Sequence, residues 1–257
     1  MNDKILKTHT LSNIFAALIL GTFFLGSCSE KPEDIRKRPN ILLLMSDNHS
    51  WNHLGCYGDP VVKTPYIDSL AKRGLRFTNA YCAAPSCTPA RASMLTGMDI
   101  WKLGEGANLW GTISSDFQVY TDLLEESGYL VGHQGKGWGP GNYEAGGWER
   151  NPAGNKFDSF QDFLDQREEE QPFTYWFSSR NPHRPYADNA TKGTIDLSAI
   201  EVPTYLPDND SVRMDMADYY AEIQSFDSEV GEFLETLKAS GEMENTIIIV
   251  CSDNGWQ

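Results

Sequence analysis

Two uninterrupted apolar runs limit the architecture most: Asn40 to Ser46 (NILLLMS) and Thr246 to Ser252 (TIIIVCS). A strand with one wet face alternates apolar and polar residues, whereas a continuous run predicts a strand covered on both faces, as in a parallel sheet between helical layers. Leu130 to His133 and Phe173 to Ser178 (FTYWFS) read the same way. Helical patterns lie between them. Thr64-Pro65 supplies the N-cap and first residue of a helix that carries Ile67, Leu70 and Ala71 on one face and stops at Gly74. A second runs from Tyr120 to Ser127 and closes at Gly128. The longest covers Val212 to Ser240, with Met216, Tyr219, Ile223, Phe226, Val230, Phe233 and Leu237 at helical spacing and Gly241 as its stop. This alternation predicts an α/β fold with a mainly parallel central sheet and helices on both faces. Functional residues of such sheets collect at the carboxyl ends of strands.

Both outer runs end in the same chemistry, Ser46-Asp47-Asn48 and Ser252-Asp253-Asn254-Gly255. Each sets a carboxylate and an amide at the top of a strand, and hard divalent cations take such oxygen donors from a rigid sheet. One Asp-Asn pair marks a turn more often than a metal site. Two copies after two apolar strands make Asp47, Asn48, Asp253 and Asn254 a candidate metal set. The segment Pro85 to Gly97 (PSCTPARASMLTG) adds an anion site, since Cys87 stands just before a helix with Pro89 in its first turn and Arg91 four residues on. A helix N-terminus with an Arg beside it attracts an oxyanion.

The chain has 257 residues, enough for a sizeable core, and sets 21 Lys+Arg against 36 Asp+Glu for a net charge of -15. That balance argues against a nucleic-acid partner and allows an anion only where cations, metal or backbone N–H groups are concentrated locally. Residues 1–27 read as a signal peptide, with Lys4 and Lys7 ahead of a largely apolar run from Leu11 to Leu25 that is too short to span a membrane. Leu25-Gly26-Ser27-Cys28 resembles a bacterial lipobox, so Cys28 is the expected lipidated first residue of an exported lipoprotein facing the periplasm or the cell surface. Residues 28–39 read as a charged tether, and 40–257 as one folded domain, incomplete at its C-terminal end. With Cys28 and Cys87 set aside, Cys56, Cys82 and Cys251 make no disulfide framework.

Cys87-x-Pro89-x-Arg91, followed by Leu95-Thr96-Gly97, resembles the signature of the formylglycine-dependent type I sulfatases of the alkaline-phosphatase-like superfamily. Asn40 to Gly58 is similar to the opening strand and metal loop of that family, and Thr64-Pro65 to Gly74 to its first helix. The resemblance implies that a maturase oxidises Cys87 to formylglycine, whose hydrate supplies the nucleophile and joins Asp47, Asn48, Asp253 and Asn254 around a metal, calcium rather than magnesium. It implies that Arg91 holds the formylglycine, that Lys136 in Gly135-Lys136-Gly137 binds the sulfate, and that His183 in Asn181-Pro182-His183-Arg184-Pro185 lies near the ester. A histidine there suits the leaving-group acid. One hydroxyl of the hydrate attacks sulfur, and the other is later deprotonated to expel sulfate.

Two departures bear on the substrate. Many members have paired aspartates where this chain has Asp47-Asn48, and the common Lys-x-His is here Lys136-Gly137-Trp138. Trp138 is therefore expected either to stack on a sugar ring or to pack in the core. His49 and His133 read as structural. The variant pattern is most similar to the branch of heparan N-sulfoglucosamine sulfohydrolases, which implies a sulfated, glycosaminoglycan-type glycan bearing O-sulfate or N-sulfate. A phosphoryl hydrolase or transferase of the same superfamily is the other enzymatic reading, opposed by Cys rather than Ser or Thr at 87. A non-catalytic glycan-binding lipoprotein is the third. In the family, a further basic residue and a smaller C-terminal subdomain follow the Asp253-Asn254-Gly255 motif. The chain therefore reads as an N-terminal part whose site is incomplete, expected to be poorly soluble and nearly inactive alone.

Overall fold

The computed structural model describes residues 37–187, 190–191 and 193–256. The signal peptide, Cys28 and most of the tether lie outside the described residues. Among the described residues no helix is long and apolar enough to cross a membrane.

Five parallel strands form one sheet: β1 (Asn40–Ser46), β2 (Leu130–Gly135), β3 (Asn155–Lys156), β4 (Phe173–Ser178) and β5 (Thr246–Ser252), in the order β3-β2-β4-β1-β5. The helices are α1 (Pro65–Arg73), α2 (Cys87–Thr96), α3 (Tyr120–Glu126), α4 (Phe160–Leu164) and α5 (Asp210–Ala239). Side chains alternate across a strand, so each central strand feeds two cores. Leu42, Leu44, Phe173, Tyr175 and Phe177 meet Ile67 of α1, Phe160 and Phe163 of α4, and Phe226, Val230, Phe233 and Leu237 of α5. Leu43, Met45 and Trp176 face the other way, onto Ala92 and Leu95 of α2 and onto Trp138. The helical stripe read along α5 is thus core. Fully burying each such aliphatic or aromatic side chain is worth about 1.5–3 kcal/mol.

β1 and β4 are covered on both faces as expected, and β5 is not. It pairs with β1 alone among the described residues, and Ile247 and Ile249 remain 50% and 43% exposed. Two elements went unread because they are too short for any period to show: two-residue β3, and α4, where Ser159 Oγ accepts from Asp162 N at 3.0 Å as the N-cap. Asp227 of α5 accepts from Ile67 N at 2.8 Å and Tyr66 N at 3.2 Å, capping α1 from a distant helix and fixing the two together. Cys56, Cys82, Cys87 and Cys251 are all free thiols.

The register positions the site. Leu44 is level with Phe177 and Val250, Met45 with Ser178 and Cys251, and Ser46 with Ser252. Asp47 and Asp253 therefore leave adjacent strands at the same height.

Candidate active site

Cys87 is the first residue of α2, one position further in than the sequence placed it, with Ser86 as N-cap. Its Sγ donates to Asp47 Oδ1 at 3.2 Å and lies 3.7 Å from Asn48 Oδ1 and 3.8 Å from Asn254 Nδ2. All of these side chains are buried. Asn48 has φ +64°, a left-handed conformation that Asn tolerates better than most residues. Tyr219 of α5 holds it there: the hydroxyl donates to Asn48 O at 3.2 Å and accepts from Ser50 N at 3.0 Å. Asn48 N in turn donates to Asp253 Oδ1 at 3.1 Å. Asn48 thus presents its amide oxygen to Cys87, whereas Asn254 presents its amide nitrogen.

Arg91 lies one helical turn beyond Cys87 and is fully buried. Nε donates to Asp253 Oδ2 at 2.9 Å, and Nη1 donates to Gly137 O at 2.8 Å and Ser178 Oγ at 2.7 Å. Nη2 makes ionic contacts of 2.8 Å with Asp253 and 3.8 Å with Asp47 without hydrogen-bond geometry to either. Lys136, after β2, reaches Asp47 Oδ2 at 2.8 Å. Burial alone would raise the Asp47 carboxyl, but Arg91 and Lys136 outweigh it and hold the group below its ordinary value. For Asp253 the balance reverses: burial, with the Asp47 charge, keeps it raised against the pull of Arg91. Burial and then the Asp253 and Asp47 charges push the Cys87 thiol up to about 11. As a thiol, residue 87 is neutral near pH 7 and a poor nucleophile.

His183 comes from the loop after β4. A ring nitrogen of His183, a carboxylate oxygen of Asp47 and Cys87 Sγ all lie within 4.8 Å of one another, a grouping that could hold a metal ion. The loop is latched from below, since Ser179 N donates to Met45 O at 2.8 Å and Asp47 N to Asn181 O at 3.0 Å. Glu229 of α5 accepts from Ser179 Oγ at 2.5 Å and from Asn181 Nδ2 at 3.4 Å.

The sequence-predicted residues Asp47, Asn48, Cys87, Arg91, Lys136, His183, Asp253 and Asn254 thus converge. Trp138 does not join them as a sugar platform. It is 1% exposed, packed with Leu43, Met45 and Trp176 beneath the site, so no ring face is open to a substrate. His49 is also internal: Nδ1 faces Ser46 Oγ at 3.3 Å, Nε2 faces His53 O at 3.1 Å, and burial depresses its pKa to about 4. His133 is buried against Gly154 O at 3.1 Å. Ser178, Tyr219 and Glu229 support the site although no sequence motif marks them. Ser178 sits at a strand's carboxyl end, a place that could have drawn attention. Tyr219 and Glu229 lie on a helix whose pattern reports only packing.

The Sulfatase family model matches residues 39–257. An ulvan-active sulfatase of Formosa agariphila is 30% identical over 244 residues, covering 89% of this chain and 47% of the relative. The human N-sulphoglucosamine sulphohydrolase is 27% identical over 274 residues, covering 90% of this chain and 52% of its own. The chain spans about half the length of these relatives. Its fold is similar to the crystal structure of the phosphonate monoester hydrolase of Agrobacterium radiobacter, with a TM-score of 0.66 at 17% identity over 86% of this chain and 64% of that one. With the family match running from just before β1 to the chain end, and with the signature residues gathered at the strand tops, the chain belongs to the sulfatase family.

Proposed function

We propose that this chain is the catalytic layer of a hydrolase that removes sulfate from a sulfated glycan, with residue 87 acting as formylglycine. One observation carries the reading: Cys87, at a helix N-terminus, lies 3.2 Å from Asp47, which Arg91 and Lys136 contact in turn, and His183 lies within 4.8 Å of both Cys87 and Asp47. The thiol stands where the hydroxyls of the aldehyde hydrate would be. A neutral, buried thiol does not serve the reaction, and conversion by a maturase would supply a hydroxyl nucleophile in the same place.

A divalent cation fits the donors. Asp47 and Asp253 supply hard carboxylate oxygens, Asn48 turns its amide oxygen toward Cys87, and the buried Asn48 Nδ2 has no protein partner that would fix the amide the other way. Asn254 would contribute by hydrogen bonding, or by its oxygen after an amide rotation. This oxygen-rich set suits calcium better than a soft metal. Arg91 and Lys136 already balance the two aspartates, so a bound divalent ion would leave a net positive centre within a chain of charge -15. When bound, the cation would act as a Lewis acid for sulfuryl oxygens. Lys136 would bind a non-bridging sulfate oxygen, Arg91 would hold residue 87 in line, and His183 would protonate the departing oxygen or nitrogen.

The names of the relatives support a sulfated polysaccharide or an N-sulfated glucosamine as substrate. Because the fold is shared with a phosphonate hydrolase, a phosphomonoester is the necessary control. The test is sulfate release by the maturase-treated protein, with peptide mass spectrometry across residues 85–97. Activity lost in Cys87→Ala, together with an aldehyde at residue 87, is the expected result. Active protein carrying an unmodified thiol defeats the proposal. An exported lipoprotein anchored through Cys28 is the matching proposal for where it acts.

A further inference from the structure

Trp138 is enclosed, but Trp110 is 76% exposed and sits on a turn that contacts Thr88, the residue after Cys87. Its neighbour Leu109 accepts a hydrogen bond from Thr88 Oγ1 at 2.6 Å, and Thr88 directly follows Cys87. Gly111 N closes the turn onto Asn108 O at 3.1 Å, and Asn142 N donates to Gly111 O at 2.9 Å. A Cβ on Gly141 would stand 2.5 Å from Gly111 O, 2.6 Å from the Trp138 ring and 3.1 Å from the Thr88 methyl, so these groups meet with no spare room. The buried indole of Trp138 is part of the floor under the turn that carries Trp110. Single exposed aromatics are common on protein surfaces and carry no meaning alone. This one is fixed through its backbone one residue away from a direct contact with the first turn of α2.

We propose that Trp110 stacks on a pyranose ring of the glycan whose sulfate is presented to residue 87. The inference rests on the proposed function and assigns the substrate a second point of contact. Charge decides the type of contact. At -15 the chain repels an anionic glycan at long range, and Lys136, already paired with Asp47, is the cation assigned to the sulfate, which leaves the sugar ring no cation of its own at the centre. A neutral indole face against the C–H face of a sugar adds contact area without another cation, and its N–H edge can meet a ring hydroxyl. The burial of Trp138 leaves the stacking role open at the position where the sequence placed it.

Two measurements test the contact. The first compares kcat/KM for a sulfated glucosamine-containing tetrasaccharide with that for 4-nitrophenyl sulfate, which has no sugar ring. Trp110→Ala is expected to lower the ratio about tenfold, equivalent to about 1.4 kcal/mol, through KM rather than kcat, while Trp110→Phe retains most of it. A ratio unchanged in Trp110→Ala, or lowered equally in Trp110→Phe, overturns the stacking role. The second measurement uses calorimetry of the tetrasaccharide on Cys87→Ala protein with and without Trp110→Ala, which reads the contact without turnover. Equal affinity overturns the contact. A maturase-treated protein made from the full open reading frame that binds the glycan through Trp110 but hydrolyses neither substrate overturns the sulfatase reading and leaves the contact standing.

Discussion

Replacing Arg91 by Ala removes a fully buried cation set between two buried carboxylates. The guanidinium contacts Asp253 at 2.8–2.9 Å and Asp47 at 3.8 Å, and also satisfies Gly137 O and Ser178 Oγ. Breaking a buried pair by deleting one partner costs about 3–5 kcal/mol, because the surviving charge stays desolvated. Each kcal/mol moves the melting temperature of a domain this size by roughly 2–4 °C, so a fall of about 6–20 °C is expected in metal-free buffer. Arg91→Lys should lose about half as much, since one ammonium keeps the charge but cannot serve three partners as the fork does. The pH dependence has a definite sign. Asp253 is already raised above 3.8, chiefly by burial, and Arg91 opposes that rise. Without Arg91 the folded state takes up a proton more readily than the unfolded state, so the variant's stability falls as pH rises and its deficit shrinks on acidification from neutral toward pH 4. Adding calcium should narrow the gap to wild type by restoring positive charge. The assay is thermal unfolding of both variants at several pH values with chelator or calcium. A drop under 3 °C for Arg91→Ala with chelator, or a deficit that grows on acidification, would refute this account of the centre.

The remaining expectations are separate. Asp47→Ala should reduce calcium affinity and sulfate release together, measured by calorimetry and ion chromatography; full activity in excess chelator would remove Asp47 from any metal role. Glu229→Ala strips the acceptor from Ser179 and Asn181, costing about 1.5–3 kcal/mol and lowering kcat through the loop that carries His183, while Glu229→Gln should retain most of both. A kcat equal to wild type in a destabilised Glu229→Ala protein would show that the latch does not position the loop. Cys28→Ser should shift the protein from the membrane fraction to the soluble one, and unchanged fractionation would point to another anchor.

What could be read from the sequence depended on how each feature is encoded. The strands β1 and β4 were legible because burial on both faces leaves nearly every residue inside the run apolar, Thr174 of β4 being the exception, and the two aspartates were legible because each follows an apolar run, Asp47 after β1 and Asp253 after β5. Their convergence was not. It follows from the sheet order, which sets β5 beside β1 although 199 residues separate Ser46 from Thr246. The same limit explains Ser178 and Glu229, whose partners are 87 and 50 residues away. Trp138 shows the opposite failure. Its residue type fits both a sugar platform and a core, and local sequence carries nothing that separates the two; only the packing of Leu43, Met45 and Trp176 around it does.

The electrostatics link these elements to one another. Excess negative charge on a chain proposed to act on an anionic glycan looks contradictory until the centre is treated apart from the surface. At the centre, two basic side chains face two acidic ones, and the helix N-terminus at Cys87 adds partial positive charge. The low-exposure setting makes each of those charges count for more than one at the surface, where salt screens it. The net charge of -15 then disfavours nonspecific adhesion of long polyanions, and a sulfate group that reaches the strand tops would meet a locally cationic pocket once a divalent ion is bound there. Rising ionic strength should accordingly relieve the surface repulsion more than it weakens the buried contacts. The KM for an anionic glycan is therefore expected to fall as salt rises from about 10 to 150 mM, as the Debye length shortens from roughly 30 to 8 Å. A KM that climbs steadily over that range would mean the approach is governed by attraction and that centre and surface do not act separately.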